Sequence, residues 1–153
     1  MLLSRTVARV VCVFLVGLFT VLGGAAAARE MVSIKGKVTN LRTAPSPRAE
    51  VAWELQRGYP LEVLRRKGDW LQVRDFENDR GWITRSAAAK TPHHVVKAKV
   101  ANLRSTPSER SRIVGKAQQL EVLRTLEKKG SWVKVQRSNG QTAWVASNLL
   151  WGW

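Results

Sequence analysis

The chain has 153 residues, seven of them tryptophan, and a formal net charge of +15 at pH 7. Its single cysteine, Cys12, lies near the start, so the rest of the chain has no disulfide, no thiolate metal ligand and no cysteine nucleophile. The cation excess selects anionic partners as a class (acidic polymers, headgroups, nucleic acid) and identifies none of them.

Arg5 and Arg9 precede an apolar run at 10–22, and small residues fill 23–28. This order of charge, apolar run and Ala-x-Ala predicts a signal-peptide helix over 1–28, cleaved after Ala28, and a periplasmic or secreted product. The run of 13 residues is shorter than the roughly 20 that a span needs. No stable membrane span is expected after cleavage, and retention as an anchor is the alternative. Cys12 follows Val11 inside the run and not at the cleavage point, so lipidation is not expected. The remaining cations are uneven, with a net +4 over 29–86 and +8 over 93–153.

The mature chain is a tandem duplication. Asn40-Leu41-Arg42-Thr43-Ala44-Pro45-Ser46 returns 62 residues later as Asn102-Leu103-Arg104-Ser105-Thr106-Pro107-Ser108. Gly68-Asp69-Trp70 and Trp82-Ile83 return at the same shift as Gly130-Ser131-Trp132 and Trp144-Val145. Leu61-Glu62-Val63-Leu64-Arg65 returns as Leu120-Glu121-Val122-Leu123-Arg124 at a shift of 59, which predicts a three-residue deletion followed by a three-residue insertion. Ordered blocks at one period mean two copies of one unit.

Each copy reads as strands. Ile34, Gly36 and Val38, like Val96, Ala98 and Val100, alternate with lysines and predict one half-buried strand per copy. The Asn-Leu-Arg stretches, with their proline and serines, read as a long ordered loop. Strands are predicted at 61–65 and 70–74, and at 120–124 and 132–136. On that phase Leu71, Val73, Ile83, Val133, Val135 and Val145 face the core, with Leu41 and Leu103. Asn139-Gly140 predicts a tight hairpin in the second copy, and a looser turn is expected at 76–80 in the first. Five short strands in about 55–60 residues, without a helix, imply a small closed barrel. The expected fold is therefore all-β: barrel one at 29–86, a linker at 87–92 and barrel two at 93–153, the two sitting close together.

The order Asn-Leu-Arg-x-x-Pro-Ser, then Gly-x-Trp, then a closing Trp-Ile or Trp-Val strand resembles the bacterial SH3 domain, SH3b, twice over. The ending Ala143-Trp144-Val145-Ala146-Ser147-Asn148-Leu149-Leu150 is similar to the last strand and 3-10 turn of SH3 barrels, whereas Arg85-Ser86-Ala87-Ala88-Ala89 departs from it. The resemblance implies a non-catalytic exported module that binds cell-wall peptide or another envelope protein.

Trp70, Trp82, Trp132 and Trp144 recur in the two copies and point away from the core residues. They either form a platform for extended peptides or sugars, or cover the barrel mouth or pack between the barrels. Arg42 and Arg104 could hold a carboxylate bidentately or be simply solvated. Asn40 and Asn102 are expected to brace the long loop through backbone hydrogen bonds. These eight residues are the candidate ligand-binding set. Glu62 and Glu121 recur among cations and read as surface ion pairs, and the apolar end at 149–153 is expected to fold back on a barrel. Adjacent His93 and His94 point to opposite strand faces, so no metal site is expected. Neither copy repeats a nucleophile–base pair, so no enzyme activity and no cofactor are expected. The expected partner is peptidoglycan or an envelope protein, with an anionic polymer as a further candidate. Basic and aromatic residues together also suit nucleic acid, but export argues against that partner.

Overall fold

Short β-prone runs cut by glycine, proline and asparagine give strands and turns throughout the computed structural model, which describes residues 28–153. Except for Ala28, the expected signal peptide lies outside the described residues. No helix among the described residues is long and apolar enough to cross a membrane.

The first copy comprises β1 (Met31–Ile34), β2 (Val38–Arg42), β3 (Val51–Gln56), β4 (Pro60–Lys67), β5 (Trp70–Arg74), β6 (Arg80–Thr84), a 3-10 turn (Arg85–Ala87) and β7 (Ala88–Ala89). The second comprises β8 (His93–Val96), β9 (Val100–Arg104), β10 (Ile113–Gln118), β11 (Val122–Lys129), β12 (Trp132–Gln136), β13 (Thr142–Ala146), a 3-10 turn (Ser147–Leu149) and β14 (Leu150–Gly152). The antiparallel sheets have the orders β3-β2-β6-β5-β4-β1-β7 and β10-β9-β13-β12-β11-β8-β14. The fold is all-β, with one seven-stranded sheet per copy.

Each sheet encloses its own core. Val32, Ile34, Leu41, Leu55, Leu61, Leu71, Val73 and Ile83 fill the first. Val96, Leu103, Leu123, Val133, Val135, Val145 and Leu150 dominate the second. Leu41, Leu71, Val73, Ile83, Leu103, Val133, Val135 and Val145, assigned to the core from the sequence, are all buried. Burying a Leu, Ile or Val side chain contributes about 1.5–3 kcal/mol, so these two clusters, and not the surface charges, hold the copies folded.

The structure corrects several expectations. The alternating Lys segments are not single strands: the chain bends between β1 and β2 and between β8 and β9, leaving Val38 and Val100 exposed. Asn40-Leu41-Arg42 and Asn102-Leu103-Arg104 belong to strands β2 and β9, and the loops start one residue later. Strands β3 and β10 were not anticipated. The departing end of copy one still makes its 3-10 turn and strand, with Ser33 paired to Ala89 and Ile34 to Ala88. Barrel one therefore runs to Ala89, leaving only 90–92 as a connection.

The predicted deletion and insertion are absent. Strands β4 and β11 lie 62 residues apart like every other pair, and both bulge after equivalent residues, Val63 and Thr125. Leu61 therefore corresponds to Leu123, and Leu120 corresponds to Gly58; the match at 59 is a coincidence of composition. Gly58 (φ 80°) and Leu120 (φ 69°) both sit in the left-handed region, and their N–H groups donate to Ile34 O and Val96 O at 2.8 and 2.9 Å. Leucine there is strained by about 1–2 kcal/mol, and its side chain is 55% exposed. Leu120→Gly is thus expected to stabilise the protein by about 1 kcal/mol, allowing for the flexibility glycine adds to the unfolded chain. Urea unfolding checks this, and a lower midpoint would mean that the leucine side chain supports the turn.

The hairpin turns of the two copies are also alike. Asn78 and Gly140 carry the positive φ, at 71° and 86°, and Asp75 and Arg137 bond across the turns to Asp79 and Gln141. Asn139 does not share the left-handed conformation, so the two-residue hairpin expected from Asn-Gly is not formed.

The barrels meet along the short connection. Ser33 Oγ donates to Thr91 O at 2.8 Å, Thr125 N to Pro92 O at 3.0 Å, and Lys90 Nζ to Glu30 Oε1 at 2.7 Å. The hydrogen bonds from Lys90 and then Arg66 hold the Glu30 carboxyl below its usual range. The His93 ring packs against the Gly58 backbone, where an added Cβ would lie 2.7 Å from it.

Candidate binding face

Antiparallel pairing places directly opposed residues on the same side of a sheet. Trp132 is opposite Ala146, Lys134 opposite Trp144 and Gln136 opposite Thr142, and Trp144 is also opposite Arg104. With Val133, Val135 and Val145 turned into the core, these residues share the outer face of barrel two. Asn102 joins them two positions before Arg104 on β9.

The turn after β13 and the loop after β9 convert part of this face into a cleft. Asn102, Arg104, Glu109, Trp132, Ala146, Asn148 and Leu149 line a volume of about 330 Å³. Three of the expected site residues, Asn102, Arg104 and Trp132, are thus brought together. Trp144 stands beside them, half-buried, with Lys134 Nζ 6.0 Å from its ring centre. Arg104 Nη1 donates to Ser111 O at 2.8 Å, so part of the guanidinium holds the loop over 105–112. Its remaining N–H groups are available to the cleft.

The same face of barrel one is built differently. Arg42 Nη1 likewise braces its loop, donating to Ala49 O at 2.7 Å, and Asn40 lies opposite Glu54 on β3. Trp70 is half-buried, as Trp132 is. Of the two alternatives for Trp82, platform or packing, the structure favours packing, since it is only 5% exposed. The Arg65 guanidinium covers it, 5.2 Å from the ring centre. Glu127 replaces Arg65 at the equivalent position of barrel two, and Trp144 stays partly open. The acid and the wall of the cleft are also missing, since Pro47, Ser86 and Ala87 stand where barrel two has Glu109, Asn148 and Leu149. Neither asparagine makes a side-chain hydrogen bond to its loop; both are strand residues on the outer face.

Glu109, Asn148 and Leu149 were missed as site residues. The signal that marks them is the difference between the copies at equal positions, which the shared motifs do not carry. The recurring glutamates, by contrast, are not equivalent to each other. Glu62 pairs with Arg74 at 2.9 Å and Glu121 with Arg137 at 2.7 Å. Glu121 occupies the position of Tyr59, and Arg137 that of Asp75. Ion pairing is as expected, but by different routes.

Other polar groups have structural partners. Asp75 Oδ1 accepts from the N–H groups of Glu77 and Asp79 at 2.9 and 3.0 Å, which shapes the turn where these three carboxylates cluster. His94 is buried, with Nδ1 2.6 Å from Thr125 Oγ1. His93 Nδ1 lies 3.0 Å from Thr91 O. Burial pushes the pKa of His94 down to about 4, and neighbouring Lys128 adds to the effect. Burial also lowers that of His93.

Two forms of the family described as Bacterial SH3 domain match the chain, one over residues 35–88 and the other over 99–150. The Bacillus subtilis (strain 168) protein YrvJ, provisionally named an N-acetylmuramoyl-L-alanine amidase, is 25% identical over 92% of this chain, which spans 29% of that protein. Among solved structures, NlpC1 of Trichomonas vaginalis is similar over 80% of this chain and 45% of its own, at 15% identity and TM-score 0.37. An NlpC/P60 family protein of Bacillus cereus is similar over 80% and 56%, at 18% identity and TM-score 0.38.

Proposed function

Because the chain belongs to the bacterial SH3 family as two tandem copies, we propose that it is a non-catalytic binding module of the cell envelope. It grips peptidoglycan stem peptides through the outer face of barrel two. The observation that carries this reading is the cleft that sets Arg104, Glu109, Asn102 and Asn148 around the Trp132 indole. A stem peptide offers free carboxylates and amines along an extended backbone. Arg104 suits the carboxylate, Glu109 the amine, the two amides the backbone, and the indole the aliphatic side chains. The amidase relationship supports a wall-related role in an extracellular or cell-wall setting. Cysteine is absent from 28–153, and both histidines are held by structural partners, which supports binding without catalysis.

Co-sedimentation with purified sacculi tests the proposal. Trp132→Ala is expected to weaken retention about tenfold or more, as loss of a central aromatic anchor does. Glu109→Gln should weaken it less, and Trp70→Ala should leave it within about twofold. A wild-type protein that stays in the supernatant at low salt removes this reading. New products from labelled wall fragments would overturn the absence of catalysis.

One observation favours a second reading, an adaptor for another envelope protein. Strand β3 is a sheet edge, and it carries Trp53, 59% exposed, beside exposed Val51. An exposed apolar edge can accept a partner strand. Loss of a protein partner in Trp53→Ser, with wall retention unchanged, would establish it.

A further inference from the structure

We propose that a second cleft of barrel two, beneath its closing strand β14, is a separate binding site for a phosphate-bearing saccharide. This cleft holds about 460 Å³, within the range of about 300–1,000 Å³ typical of small-ligand sites. Three cations converge on it: Arg29 from just before β1, Lys97 after β8 and Lys128 on β11. No Asp or Glu is among its lining residues. None of the ion pairs among the described residues uses Arg29, Lys97 or Lys128. Glu30, the acid nearest to Arg29 in sequence, already holds Lys90 and Arg66.

Three basic side chains around one recess, with no acidic side chain in its lining, favour an anion with several oxygens to share among them. A phosphate meets that description better than a single carboxylate does. Three indoles share the wall: Trp132, Trp151 and Trp153 are all half-buried and line the same volume. The Arg29 guanidinium lies 5.9 Å from the Trp151 ring centre, which fixes one cation beside one indole. The π face of an indole carries negative charge and attracts the slightly positive C–H edges of a sugar ring. Phosphate on the cations and sugar on the indoles is the ligand that uses both halves of the wall.

Trp132 is the ridge between this cleft and the one that holds Arg104 and Glu109. The inference does not rest on the stem-peptide reading, because none of the three cations belongs to that other cleft. A free sugar phosphate, a phosphosugar polymer and a glycolipid headgroup all present the same chemistry.

The test titrates the protein with N-acetylglucosamine 1-phosphate and follows the indole N–H signals of Trp151 and Trp153 by NMR. N-acetylglucosamine and inorganic phosphate serve as half-ligand controls. Saturable shifts are expected with the phosphosugar, at least about tenfold weaker with either half-ligand and in the Lys97→Gln plus Lys128→Gln variant. Glu109→Gln should bind the phosphosugar normally, even if it has lost sacculi. Equal binding of inorganic phosphate, or an undiminished response in the double variant, would overturn the proposal. Vesicles separate the sources: tighter binding to vesicles displaying lipid A than to the soluble probe identifies a glycolipid, and equal affinity identifies a soluble or polymeric phosphosugar. Retention on phosphatidylglycerol vesicles with no response to the phosphosugar would overturn the saccharide.

Discussion

Gly152→Ala is expected to lower the stability of barrel two by about 3 kcal/mol and to release its closing strand. Gly152 has φ 152°, a conformation open essentially to glycine alone. An added Cβ would press on the His93 carbonyl oxygen and lie 3.0 Å from His94 Cα. Both obstacles are backbone, so no side chain can swing aside. The strand it would displace pairs Leu150 with Val96, Trp151 with Val95 and Gly152 with His94. Urea unfolding followed by tryptophan emission, with hydrogen exchange in β8, measures the effect. Native-like exchange in β8 of the variant would show that β14 is not what closes the barrel.

Acidification should produce the next largest loss. His94 is 4% exposed, and its pKa is lowered to about 4 from an ordinary 6.5, by burial first and by Lys128 second. The folded protein therefore binds fewer protons than the unfolded chain between those values, and stability rises with pH across that window. The contribution of neutral His94 is fully present above about pH 6.5 and is lost as pH falls to about 4. The total is about 3 kcal/mol at 1.36 kcal/mol per pKa unit. Burial of His93 acts in the same direction. Unfolding free energies measured from pH 7 to pH 4 should fall steeply, and His94→Gln should flatten the slope. An equally steep slope in His94→Gln would assign the acid sensitivity to other groups.

Much of the fold was legible because the copies repeat and their core residues alternate. Leu71, Val73 and Ile83, with Val133, Val135 and Val145, gave the inner face directly. Strands β3 and β10 were not legible. Their burial is confined mainly to Leu55 and Ala117, so little alternation marks them, and the position held by Trp53 in one is held by Gly115 in the other. The register was misread because Leu-Glu-Val-Leu-Arg recurs out of phase. Local identity outvoted the hydrogen-bonded ladder, which only the backbone reveals. At the site, strand phase correctly set the four recurring tryptophans on the outer face. Their accessibility depended on what lies across the neighbouring strand. Arg65 shields Trp82 and Glu127 does not shield Trp144 in the same way, and that is a property of pairs of residues distant in sequence.

An uninterrupted offset of 62 residues between the halves makes each one a fitted template for the other. Pro47, Ser86 and Ala87 can be exchanged for Glu, Asn and Leu without moving a loop or lengthening a turn. The proposed peptide-binding face is thereby portable between barrels, and a chain carrying it on both is expected to gain avidity for a repeating polymer.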